Sequence, residues 1–141
     1  MNPVNFLFHN KHKMLTVRAY IYSAWYRFQI LFVDVKHIYK KWGKEGEESD
    51  YEETEENYRY AAKVAFVVNH VCSKTAWKSK CLVRALTAQR LLKKKHISST
   101  LYLGCATEGG KMIAHAWLRC GGMFVSGGNG NGYAVVDKFC V

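Results

Sequence analysis

The chain has 141 residues, 49% of them apolar and only one a proline, and a formal net charge of +10. That is enough for one domain with a true core and too little for two of ordinary size, and the apolar content excludes a disordered chain. The charge is uneven: eight of the 11 acidic residues fall between Lys44 and Asn57, and outside that stretch every Lys and Arg but Lys44 stands against only Asp34, Glu108 and Asp137.

Such a cationic surface attracts nucleic acid, anionic lipid or acidic peptide alike. No zinc-finger spacing and no aromatic RNA-binding strand is present, so nucleic acid is not the expected partner. The five cysteines are odd in number and lack a C-x-x-C pair. Neither a disulfide framework nor a bound metal is therefore expected, and no other cofactor motif is found. The opening "MNPVNFLFHNKHKM" lacks a signal-peptide core, so the chain reads as cytoplasmic with reduced thiols.

In chain order, Leu15 to Trp42 is dense in aromatic residues at steps of three and four, which predicts one long helix with a wide apolar arc. Its longest uncharged stretch, Ala19 to Tyr26, is eight residues, against the about 20 needed to cross a bilayer. It reads as a core or partner-facing helix, with membrane-surface contact through residues 15–42 as the other reading. Gly43 and Gly46 end the pattern, and the acidic run that follows is expected to be a hydrated linker, because like charges repel. Residues 1–56 thus precede a core over 57–141 in one compact domain.

A second helix is predicted from Glu55 to Cys72, with glutamates in its first turn, and a third over 78–95, closed by Lys93, Lys94 and Lys95. From Ser99 the period changes to two: "STLYLGCA", a turn at Gly109-Gly110, "KMIAHAWLRC", a turn at Gly121-Gly122, then "MFVS". This is a strand meander. The glycine-rich 127–132 reads as a loop near a cleft, its spacing being wrong for a dinucleotide fingerprint, and "YAVV" as a last strand.

Cys81 stands in the first turn of the third helix, behind Lys78 and Lys80. A lone helix cysteine is usually a small buried hydrophobe. At a helix start, however, free backbone N–H groups and the helix dipole favour a thiolate, the form that attacks carbonyl carbon. Acyl transfer also needs a proton carrier for the departing amine. Of six histidines only His115 lies within a strand between small residues, Ala114 and Ala116. Alone it reads as a core histidine; the pair is what points to chemistry.

"WKSKCLVRALTAQRLL" from Trp77, "ISSTLYLGCA" from Ile97 and "AHAWLRCGGMFVSGG" from Ala114 together resemble the transglutaminase-like leader peptidases of lasso-peptide biosynthesis. The resemblance implies an α+β fold with a transglutaminase/papain-like core, in which N-terminal helices precede a small antiparallel sheet. It also implies a cytoplasmic cysteine protease that removes the leader from a ribosomally made precursor peptide. Its implied partners are that precursor, a separate leader-binding protein and an ATP-dependent macrolactam cyclase. Cys81 would be the nucleophile and His115 the acid and base.

The family's usual third residue is Asp, and none lies on the strand after the second glycine turn. A two-residue turn at Gly121-Gly122 would set Trp117 across from Ser126, making Ser126 the nearest orienting group for His115. Asp137 would substitute only if the glycine loop folded back. The Cys81 backbone N–H is the expected oxyanion donor, with the Trp77 indole as a second. Arg84 fixes a substrate carboxylate or caps a surface; Trp117 lines the peptide groove or fills the core. The rival readings are a peptide-binding module of this fold that has lost catalysis, and another acyl transfer on the same scaffold.

Overall fold

The computed structural model describes residues 13–32, 39–74 and 81–141. Three α-helices form where the apolar spacing is helical: α1 (Lys13–Phe32), α2 (Glu55–Lys74) and α3 (Cys81–Lys94). Strands β1 (Lys44–Glu45), β2 (Thr100–Glu108), β3 (Lys111–Cys120), β4 (Met123–Ser126) and β5 (Ala134–Cys140) make one antiparallel sheet in the order β1-β5-β2-β3-β4. The expected α+β arrangement is the observed one. The helices cover one sheet face through a core in which Val64, Val68, Leu86, Leu92, Leu101, Leu118 and Phe139 are fully buried.

The long first helix is corrected. α1 ends at Phe32, and Tyr39–Trp42 is a short 3-10 helix, so no single α-helix runs from Leu15 to Trp42. Trp42 turns inward instead, edge-on to Phe139 with ring centroids 5.6 Å apart, and its carbonyl accepts from the buried Gln89 side chain at 2.8 Å. The end of α3 explains its sharpness: His96 takes a left-handed φ of 59°, Ile97 N–H reaches back to Leu92 O at 3.0 Å and His96 N–H to Lys93 O at 2.9 Å. That is a Schellman closure with a histidine where glycine is usual, and buried Ile97 supplies its apolar contact.

The acidic segment is not the free linker its charge predicts. Lys44 and Glu45 pair with Cys140 and Phe139 as an edge strand, and Ser49 N–H and Oγ each lie 2.8 Å from Thr100 Oγ1. Arg119, only 2% exposed, holds the segment from beneath. Its guanidinium donates to Ser49 O (2.9 Å), Asp50 O (3.0 Å), Gly121 O (2.7 Å) and Tyr102 Oη (2.9 Å), and lies 3.7 Å from the Tyr51 ring centroid. Five N–H groups in a planar fork suit a cluster of carbonyls that a lysine could not serve. The carboxylates of the segment therefore stay at or near the surface while its backbone is tied to the sheet at residues 44–46 and 49–50. One of them, Glu48, accepts from Tyr51 Oη at 2.8 Å, a bond that lowers its own pKa and pushes the Tyr51 phenol up to about 12.

Candidate active site

Cys81 is the first residue of α3 and part-exposed, packed on the edge of the core cluster. Lys78, Lys80 and Trp77, the expected second oxyanion donor, lie outside the described residues. Arg84 follows within the first turn of α3 and is half-buried.

His115 sits in β3 opposite Gly104 of β2. Because strand side chains alternate, His115, Trp117 and Arg119 share one sheet face, while Ala116, Leu118 and Cys120 turn into the core. The His115 face carries a row of rings: Tyr133 to His115 at 4.8 Å, His115 to Trp117 at 5.9 Å and Trp117 to Tyr102 at 5.5 Å between centroids. Gly104 makes room for it, since a Cβ there would come within 2.7 Å of the Trp117 indole. The loop after β4 closes the row from above, Gly130 abutting the same indole. Trp117 is consequently 3% exposed, so of its two expected places, the peptide groove and the interior, it takes the interior, beside the imidazole.

The register at β4 corrects the Ser126 expectation. Cys120 faces Met123 and Arg119 faces Phe124, but a bulge then sets Leu118, not Trp117, across from Ser126. One extra residue on one strand moves every following side chain to the other face. Ser126 is buried, and its Oγ finds no hydrogen-bond partner among the described residues. Asp137 pairs with Leu103, on the face opposite His115, and its carboxylate accepts from the Lys138 N–H at 2.9 Å.

The group that meets His115 is a backbone oxygen. His115 Nε2 lies 2.6 Å from Gly127 O. A carbonyl only accepts, so Nε2 carries a proton, and in the neutral ring the lone pair is on Nδ1. Gly127 has a φ of +76°, and a Cβ on it would collide with Ala116 O and with the Trp117 backbone and Cβ. Glycine is thus what lets the chain lie flat on β3 and turn its carbonyl toward the ring. Nothing in the residue types flagged this acceptor, although the glycine run itself was a signal that backbone approaches something closely. The structure does not bring the expected pair together: α3 and Cys81 pack on the sheet face that carries Ala116, Leu118 and Cys120, His115 projects from the other face, and no hydrogen bond joins them. Among the described residues, no cluster of His, Cys, Asp or Glu could hold a metal ion.

A family model for the transglutaminase-like superfamily matches residues 35–137. The chain belongs to that superfamily. The match contains Cys81 and His115, and it begins ahead of the acidic segment, in keeping with that segment's place in the sheet. Cysteine protease and acyltransferase activities are common on the transglutaminase-like fold. Neither a curated protein nor a solved structure matches the chain.

Proposed function

We propose that this transglutaminase-like protein is a cytoplasmic cysteine peptidase that cuts the leader from a ribosomally synthesised lasso-peptide precursor. A separate leader-binding protein presents the substrate, and an ATP-dependent macrolactam cyclase takes the product. The observation that carries the reading is the way His115 is held: with Nε2–H engaged by Gly127 O, its Nδ1 lone pair is the one available to a thiol proton. A side-chain carbonyl oxygen serves histidine in the same manner in Cys-His-Asn peptidases.

The Cys81 thiol gives its proton to Nδ1, and the sulfur attacks the carbonyl at the leader–core junction. The tetrahedral oxyanion is met by the Cys81 backbone N–H at the start of α3. His115 then protonates the departing amine of the core peptide. The leader remains as a thioester, and water, deprotonated by His115, hydrolyses it and returns the thiol. For that transfer the end of β3 bearing His115 must turn toward α3 on substrate binding, because the imidazole and α3 lie on opposite faces of the sheet in this structure.

A second reading is a peptide-binding module without catalysis, favoured by the lack of a carboxylate beside His115 and of a Cys81–His115 bond. A third is acyl transfer to an amine. Cys81→Ala and wild type are compared on the precursor with its leader-binding protein, with products weighed by mass spectrometry. Free leader acid from wild type alone is the expected result. Undiminished cleavage by Cys81→Ala sinks the peptidase reading, intact precursor with both proteins supports the binding module, and a leader amide identifies transfer to an amine.

A further inference from the structure

Helix α1 buries Leu15, Ala19, Ser23 and Tyr26 against the rest of the protein. Its opposite side does the reverse. Met14, Ile21, Trp25, Phe28, Leu31 and Phe32 each leave half or more of their surface open to water. At 3.6 residues per turn these positions, with Val17 and Ala24, fall within an arc of about 120° that contains no polar residue over 14–32. Trp25, Phe28 and Phe32 stack along it, with centroids 6.1 and 5.0 Å apart. A continuous apolar ridge of this length is rare on a soluble surface without a counterpart.

Cations border the ridge on both sides. Arg18 follows one edge and Arg27 the other, and α1 has no acidic residue. Beyond the Arg18 edge, Tyr22 carries two further cations from α3: the Arg90 guanidinium 5.1 Å and the Lys94 ammonium 5.8 Å from its ring centroid. α3 is likewise without acids. None of the described helices is long and apolar enough to cross a bilayer.

We infer that the exposed ridge of α1, between Arg18 and Arg27, seats the protein in the plane of an anionic lipid surface. The ridge is convex and offers almost no hydrogen-bonding group, whereas a protein partner's seam would carry about one hydrogen bond per 100–200 Å². Cations on both flanks match headgroups that surround an embedded helix on both sides. An apolar face with Trp, Phe and Leu, edged by basic residues, is the chemistry of an interfacial helix. The buried side of α1 meanwhile remains docked on the protein, so the seat needs no unfolding.

The test is sedimentation of the full chain with vesicles of phosphatidylcholine alone or with roughly one quarter phosphatidylglycerol. Wild type should partition onto the anionic vesicles, with a blue shift in tryptophan emission, and at least about tenfold less onto the neutral ones. The double substitution Ile21→Glu and Phe28→Glu should abolish partition while lipid-free cleavage of the precursor is unchanged. Should that pair disturb the fold, Arg18→Gln with Arg27→Gln serves: at about 1 kcal/mol for each cation near an anionic surface, partition falls about thirtyfold. Wild type left in the supernatant, or an I21E/F28E protein that pellets like wild type, overturns the inference. So does a wild-type dimer that I21E/F28E converts to monomer in the absence of any lipid affinity, which would make the ridge a seam between two copies.

Discussion

Gly127→Ala tests whether a backbone oxygen orients the His115 imidazole for the proposed cleavage. A left-handed φ of +76° costs an L-residue roughly 1–2 kcal/mol. The added Cβ also meets Ala116 O and the Trp117 backbone, and overpacking of that kind costs a further ~1–3 kcal/mol. The cheapest relief is for the 127–132 loop to lift from β3, which takes Gly127 O out of reach of His115. A hydrogen bond from an imidazolium N–H is worth about 1.5–3 kcal/mol, so kcat/KM for precursor cleavage should fall by one to two powers of ten. The loss belongs mainly to kcat, because the imidazolium exists only once the thiol proton has moved. Nitrogen-15 NMR of the wild-type ring should show the proton on Nε2, and in the variant a mixture of tautomers. Ser126→Ala is the control, with unchanged turnover. A Gly127→Ala protein that keeps wild-type kcat/KM, or a wild-type ring protonated at Nδ1, refutes the assignment.

Arg119→Met should destabilise the fold by about 3–5 kcal/mol in urea, since each stranded buried acceptor costs ~1–3 kcal/mol and the 49–50 backbone recovers part of that by reaching water; hydrogen exchange should rise first over residues 44–53, and a loss below about 1 kcal/mol contradicts the anchoring role. Burial, aided by the Glu53 carboxylate, pushes the Cys120 thiol up to about 11, so iodoacetamide on native protein at mild alkaline pH should modify Cys81 and Cys105 and leave Cys120 untouched. Because the fold favours the protonated thiol, its contribution to stability is complete below the unfolded value of about 8.5 and is lost as pH rises through 11; alkylation of Cys120 ahead of Cys81 would contradict that burial.

What could be read in the sequence follows from which interactions carry a residue's signature. α2 and α3 are legible because Ala61, Val68, Leu86 and Leu92 recur at helical spacing, and the meander because glycine pairs punctuate a period of two. α1 was read too long because aromatic density continues through Tyr39 and Trp42, where the chain has already changed to a 3-10 turn. The acidic segment was misread because charge describes its side chains, whereas its place is set by main-chain atoms: the Lys44–Glu45 ladder to β5, and the Ser49 and Asp50 carbonyls on Arg119. Backbone acceptors are the same in every residue, so no composition argument finds them.

The same reasoning bears on the missing Asp. Residue types can point only to a side chain as the third group, and Ser126 is the nearest one in the sequence. The bulge at Leu118/Arg119 turned Ser126 toward Leu118 and brought the next carbonyl, Gly127 O, to the ring. The third member of such a site has two tasks, to fix the tautomer and to favour the imidazolium, and only the second calls for negative charge. A neutral oxygen does the first in full and the second in part, charged hydrogen bonds being roughly twice as strong. On the proposed reading, absence of a carboxylate predicts a slower peptidase rather than an inert one. It also transfers part of the site's integrity from a side chain to the conformation of a glycine loop, which makes Gly127, Gly130 and Trp117 the positions where substitution should cost activity without touching Cys81 or His115.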